Sequence, residues 1–259
     1  MAQTLSPQNA RVNYARDLLT NRGREQHGAF AFEGAVLLAE ALRSGLTPDS
    51  LFVTSDAYDS SATVRELDAS GTPTYVVGDR TFAKISDVTT PTGILAIAGQ
   101  RLRTPAQLLA PPGLYLILAD ISDPGNAGTL LRSAEAFGAA GVIFGSEGVD
   151  PYHPKVVRAA MGASFRLPLA RAAPEALGVA AGAAGIALVG LAAGGSPLSG
   201  YAWPKSTALV VGQERRGLGA WEAACADIVG IPMEGEAESL NAAVAGSIAL
   251  YEASKRPFS

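Results

Sequence analysis

"LYLILADISDPGNAGTLLRSAEAFGA", residues 114–139, joins an unbroken apolar run to a helical pattern through a turn built on Asp123, Pro124 and Gly125. An apolar run without alternation is what a strand covered on both faces carries, and such strands belong to parallel sheets. Beyond the turn, Ala127, Leu130, Leu131, Ala134 and Phe137 recur at helical spacing and would face that sheet. Asn126 stands at the mouth of the helix, where a capping residue belongs. Arg132 lies off the apolar stripe, in line with Gly128 and Glu135. The residues alone leave two readings: a cap and a solvated arginine paired with Glu135, or a glycine-lined space that Arg132 spans to reach a ligand.

The same alternation continues downstream. Strand-like runs "GVIFG" (141–145), "IALVGL" (186–191), "TALVVG" (207–212) and "DIVGIPM" (227–233) are separated by helix-like stretches. The class is therefore α/β with a C-terminal parallel sheet. Upstream, "NARVNYARDLLTN" (9–21) and "FEGAVLLAEALRSG" (32–45) carry helical spacing, and "SLFVTS", "PTYVVG" and "GILAIAG" read as short strands. These make a small α/β domain. "GQRLRTPAQLLAPPG" (99–113), with three prolines, reads as a linker or crossover. A break near residue 105 gives domains at 1–104 and 105–259.

Composition narrows the class further. With 48% hydrophobic and 17% charged residues among 259, the chain is globular rather than disordered. No apolar run is long enough for a membrane span, and the N-terminal stretch lacks the pattern of a secretory signal. One cysteine, Cys225, gives no disulfide framework, so a cytoplasmic location is expected. His27 and His153 stand apart, and no metal site is expected. The net charge of −4 argues against indiscriminate nucleic-acid binding, yet cations cluster locally. Arg11, Arg16, Arg22 and Arg24 fall in the first 32 residues; Lys155 and Arg158 lie in an acid-free stretch, 151–171. Such patches either contact RNA phosphates or are solvated helix faces.

In open parallel sheets, ligands bind beyond the carboxyl ends of the strands. Two further strand ends are chemically unusual. In "TALVVGQERRGLGAW" (207–221), Gly212 ends the strand and allows close backbone approach, with Glu214, Arg215 and Arg216 directly behind it. In "IPMEGEAESLNAAVAGSIALYEA" (231–253), Ile231, Pro232 and Met233 could wall a flat ring, and Glu234, Glu236 and Glu238 follow. Ser239 is then expected to cap an Ala- and Gly-rich helix suited to close packing and to holding an anion at its free amides. An ordinary turn, a solvated acidic loop and a tight core contact are the plain alternatives. No GxxxxGK[ST] or GxSxG occurs, and the glycines of "GAAGVIFGSEG" (138–148) do not place GxGxxG between strand and helix.

Taken in order, "DPGNAGTLLRSAEAFGA", "ALVVGQERRGL" and "IPMEGEAESLNAAVAGSIALYE" resemble the three motifs of the SpoU (TrmH-type) RNA ribose methyltransferases of the SPOUT superfamily. "AFEGAVLLAEAL" and "SDVTTPTGILAIA" resemble the opening and close of that family's N-terminal substrate-binding domain, so the likeness spans almost the whole chain. The resemblance implies a C-terminal SPOUT domain with a trefoil knot, which strand spacing could not show because knots break the usual connection rules. It implies a ribosomal-protein-like RNA-binding domain before it, and a homodimer sharing its active site. It also implies S-adenosylmethionine as cofactor. Asn126, Arg132, Glu214, Ser239 and Asn241 match the family's active-site positions. Gly212, Ile231 and Leu240 match its cofactor-binding positions, with Leu191 and Ala192 as a further wall; Met233, next to Ile231 and Pro232, is expected to bind the cofactor with them. Gln213 departs from a pattern that often carries asparagine or serine there.

The implied activity is 2′-O-methylation of ribose in RNA, large-subunit ribosomal RNA first and transfer RNA as the alternative. A non-catalytic RNA-binding protein of the same fold and a small-molecule or dinucleotide enzyme are the competing classes; the intact Arg132, Glu214, Ser239 and Asn241 weigh against the former. The resemblance names Arg132 as base, but a guanidinium stays protonated in proteins. Holding the target phosphate and stabilising alkoxide charge suits it better. The proton then leaves through the phosphate or a transiently neutral arginine.

Overall fold

A computed structural model describes residues 2–234 and 239–255. The chain divides into two compact units, Met1–Gln100 with Tyr152–Arg166, and Arg101–Pro151 with Leu167–Ser259. The first unit carries β1 (Gln3–Thr4), α1 (Ala10–Asp17), α2 (Asn21–His27), β2 (Ala29–Glu33), α3 (Ala35–Arg43), β3 (Ser50–Val53), α4 (Ser55–Ser60), α5 (Ala62–Ala69), β4 (Thr74–Val76), α6 (Asp79–Phe82) and β5 (Ile94–Gly99). Its five-stranded sheet has the order β1-β4-β3-β5-β2. β2 and β3 run antiparallel to β5, whereas β1 and β3 run parallel to β4.

The second unit continues with β6 (Leu102–Arg103), α7 (Pro105–Leu108), β7 (Leu114–Leu118), α8 (Pro124–Ala136) and β8 (Gly141–Gly145). The next helices, α9 (Pro154–Ala160) and α10 (Ala163–Arg166), belong to the first unit. Then come β9 (Leu169–Ala172), α11 (Pro174–Ala184), β10 (Ala187–Pro197), β11 (Thr207–Val211), a 3-10 turn at Gly219–Ala224, β12 (Asp227–Gly230) and α12 (Ala242–Ser254). The sheet order is β12-β10-β11-β7-β8-β9-β6, and every pairing is parallel. β7, β8 and β11 are buried along their whole length, as their continuous apolar runs require.

The structural division differs from the expected break at 105 in two ways. Chain 99–113 is not bare linker: it holds edge strand β6 and α7, the latter closed by a capping box between Thr104 and Gln107. Residues 152–166, expected in the C-terminal domain, pack with the first unit because their aromatics complete its core. Tyr152 lies 4.4 Å from Phe30 and Phe165 lies 5.0 Å from Phe32, ring centre to ring centre. Arg166 pairs with Glu40 at 2.8 Å, and the Arg166 and Arg43 guanidiniums hold the Glu40 carboxyl below its ordinary range.

The capping alternative for Asn126 is not the one adopted, and the expected Ser239 cap is corrected. Asp123 caps α8, its Oδ1 accepting from Asn126 N at 2.8 Å with Pro124 at the first helical position, which frees the Asn126 side chain. Asn241, not Ser239, caps α12, its Oδ1 accepting from Ala243 N and Val244 N at 2.9 and 3.2 Å. Those amides are therefore satisfied internally rather than offered to an anion. The small residues of α12 do bring it close to its neighbours. A Cβ on Gly246 would lie 2.6 Å from Leu130 Cδ2 on α8 and 3.1 Å from Val211 on β11. Gly246→Ala should therefore overpack this contact and cost about 1–3 kcal/mol, read from urea denaturation; an unchanged midpoint would show that the contact can relax.

Candidate active site

The carboxyl ends of β11 and β12, the middle of β10 and the start of α12 meet at a cavity of about 200 Å³. Leu191, Ala192, Gly212, Ile231, Met233 and Leu240, the six residues picked out as cofactor-binding, all line it. Glu214 and Ser239 line it too. The walls are mostly aliphatic, with polar groups few and placed, as small-molecule sites generally are. Gln213, noted in the sequence only for its departure from the motif, also lines the cavity, as do Val211, Gly217, Ala242 and Ala245, which sequence reasoning passed over, and Ala193 beside Ala192. Each adjoins a motif residue, so the signal was present as sequence proximity.

Close backbone packing shapes the rim. A Cβ on Gly212 would fall 2.1 Å from Gly217 O, so only glycine lets the strand end pass under the following turn. That turn is closed by Gln213 N donating to Gly217 O at 3.1 Å and Gly217 N donating to Gln213 O at 2.9 Å. Gly217 has φ +57, the left-handed conformation that glycine adopts at little cost. At β12, a Cβ on Gly230 would meet Ala192 O at 2.8 Å, and β10 shifts register between Leu191 and Ser196 to make room.

Side-chain hydrogen bonds join three loops beside this cavity. Asn241 Nδ2 donates to Asn126 Oδ1 at 3.0 Å. Asn126 Nδ2 in turn donates to the Glu214 carboxylate. Residues from the α8, β11 and α12 segments are thereby brought together across as many as 115 positions of sequence. Arg132 is exposed on α8 and is not among the residues lining the cavity. Glu234 is exposed; Glu236 and Glu238 lie outside the described residues. Burial pushes the Cys225 thiol up to about 11, with the Glu222 charge adding to it, so no ready thiolate is present there. Among the described residues no cluster of metal-ligating side chains occurs.

The cations of the first unit separate by environment. Arg11, Arg16, Arg22 and Lys155 are exposed, with Arg11 stacked 5.1 Å over the Tyr75 ring. Arg158 is half-buried and pairs with Asp87 at 3.1 Å. Arg24 is a correction: it is 1% exposed and donates to Leu18 O at 2.9 Å, so it braces the α1–α2 turn and presents no charge to a phosphate.

Comparison with known proteins gives a consistent picture. Residues 113–251 match the SpoU rRNA Methylase family, and residues 9–96 match the MRM3-like substrate binding domain. The 23S rRNA (guanosine(2553)-2'-O)-methyltransferase RlmP of Bacillus subtilis is 31% identical over 254 residues, covering 97% of this chain and 98% of its own. An AdoMet-bound rRNA methyltransferase from Sinorhizobium meliloti superposes with TM-score 0.86 at 30% identity, covering 98% of each chain. The AdoMet complex of the SpoU methyltransferase AviRb from Streptomyces viridochromogenes gives TM-score 0.84 at 30% identity, covering 96% of this chain and 98% of that one. Gly212→Ala should displace the Gln213–Gly217 turn, and amide hydrogen exchange at those two positions should then quicken at least ~10-fold. Unaltered protection would mean that the close approach of Gly212 is not needed.

Proposed function

The chain belongs to the SpoU rRNA methylase family, and on that footing we propose that it methylates a ribose 2′-hydroxyl of large-subunit ribosomal RNA with S-adenosylmethionine as donor. The observation that carries this reading is the convergence of Asn126, Glu214 and Asn241, one from each motif segment, beside a cavity lined by the second and third of those segments. The lining fits the donor. Leu191, Ile231 and Leu240 offer aliphatic walls to a flat base, Gly212 allows close approach, and the Glu214 carboxylate complements a cation. When bound, S-adenosylmethionine supplies an electrophilic methyl group on its sulfonium.

An in-line displacement demands positioning above all. Asn126, held at both ends of its amide, is a rigid element at the substrate side, and Ser239 adds a hydroxyl to the cavity wall. Arg132 keeps its charge and holds the target phosphate, stabilising the negative charge that grows on the attacking oxygen. Its place on the exposed face of α8 suits an active site shared between two copies of the chain. A homodimer would cover Val244, Ile248 and Tyr251, a helical stripe on α12 that is 48%, 37% and 50% exposed. The trefoil knot of the family and a cytoplasmic location belong to the same reading. No helix among the described residues is long and apolar enough to cross a membrane. The first unit would dock RNA through Arg11, Arg16, Arg22 and Lys155, with Arg158 reaching phosphate only by giving up Asp87.

Incubation with methyl-labelled donor and ribosomal RNA should place label at an alkali-resistant 2′-O-methyl site; label in transfer RNA alone would redirect the substrate assignment. Arg132→Ala should lower transfer about 100-fold or more while donor affinity stays within about twofold. A variant that methylates at the parental rate would remove Arg132 from the chemistry.

A further inference from the structure

Glu214 can serve the site only if the turn that carries it is held in place, and the residue before it is the one that reaches back into the fold. Gln213 Nε2 donates to the backbone carbonyl of Asp120, just beyond the end of β7. Asp120 has φ +53, a left-handed conformation that an aspartate adopts only at some cost. That conformation is secured by its carboxylate. Oδ2 accepts from Trp221 Nε1 at 2.7 Å, and Oδ1 accepts from Glu147 N at 3.1 Å. Trp221 is itself fully buried, and a Cβ on Gly145 would come within 2.1 Å of Asp120 Oδ1, so the end of β8 admits the carboxylate only as glycine. Asp120 is thus a fixed post, and its carbonyl is presented to Gln213.

We propose that Gln213 is a positioning residue, whose amide tether to the Asp120 carbonyl fixes the 213–217 turn so that the Glu214 carboxylate meets Asn126. The tether joins the β7 end, from which the Asn126 loop leaves, to the β11 end, from which the Glu214 loop leaves. Both loops are therefore referred to one backbone atom. An asparagine at 213 would be one methylene short of that atom. The proposal rests on the reading of Asn126, Glu214 and Asn241 as the catalytic cluster.

Gln213→Met keeps side-chain length and bulk along the cavity and removes the carboxamide, and with it the donor to Asp120 O. With the full-length protein, kcat for methyl transfer should fall about tenfold or more, with KM for the donor and the melting temperature close to parental. In a Glu214→Gln background the same change should have little further effect, because the two residues act in series. A readout independent of turnover is the Asn126 side-chain amide resonance in nitrogen-labelled protein. It should move in Gln213→Met toward its position in Glu214→Ala. An unmoved resonance, a parental kcat or a full additional loss in the Glu214→Gln background would overturn the proposal. If the parental protein transfers no methyl group, the functional reading fails, while the resonance still decides whether the tether sets the Glu214–Asn126 contact.

Discussion

The orientation of one carboxamide governs the site. Asn126 has an acceptor end and a donor end, and each is committed to a different loop. The direction is not arbitrary. Asn241 must turn its oxygen toward the first amides of α12, which leaves its nitrogen facing outward and forces Asn126 to receive it with oxygen. The Asn126 nitrogen must then find an acceptor, and a carboxylate at 214 is the group that supplies one. Polarity set by a helix backbone is thus passed through two amides to a charge. Partly satisfied, such a network would be a liability; fully satisfied, it fixes geometry.

Parallel strands make this convergence available. Every strand of the second unit delivers its carboxyl end to the same edge of the sheet, so loops distant in sequence become neighbours. Glycines then decide how close those neighbours come. Gly212, Gly230 and Gly246 each sit where a β-carbon would strike backbone or a packed side chain. The cavity and the tight seating of α12 are therefore two results of the same choice of small residues, one leaving space and the other removing it.

Much of this was readable from the sequence, and the failures have specific causes. The apolar runs at 114–118, 141–145 and 207–211 announce buried strands because nothing polar interrupts them. β2 was missed because "FE" was absorbed into the helical pattern that follows; Gly34, at φ +105, makes the break that periodicity cannot see. β9, "LARA", is short and carries an arginine, so it has no strand signature of its own. Asn126 looked like a cap because caps are local and hydrogen bonds across the fold are not. Arg24 was grouped with its exposed neighbours because composition counts charge without knowing burial. Gly212, Ile231 and Met233 stand out at their strand ends, whereas Leu191, Ala192 and Leu240 are named by resemblance alone, since apolar residues look alike whether they pack or line a space.

The split first unit carries a cost in the order of events. Phe30 and Phe32 acquire the aromatic partners Tyr152 and Phe165 only after residues 101–151 have been made. A nascent chain ending at Gln100 would hold a sheet whose apolar edge is still bare, a state inviting non-native association. Ribosomal synthesis therefore cannot finish this unit before work on the next has begun. The fold gains a clasp and gives up the freedom to mature one piece at a time.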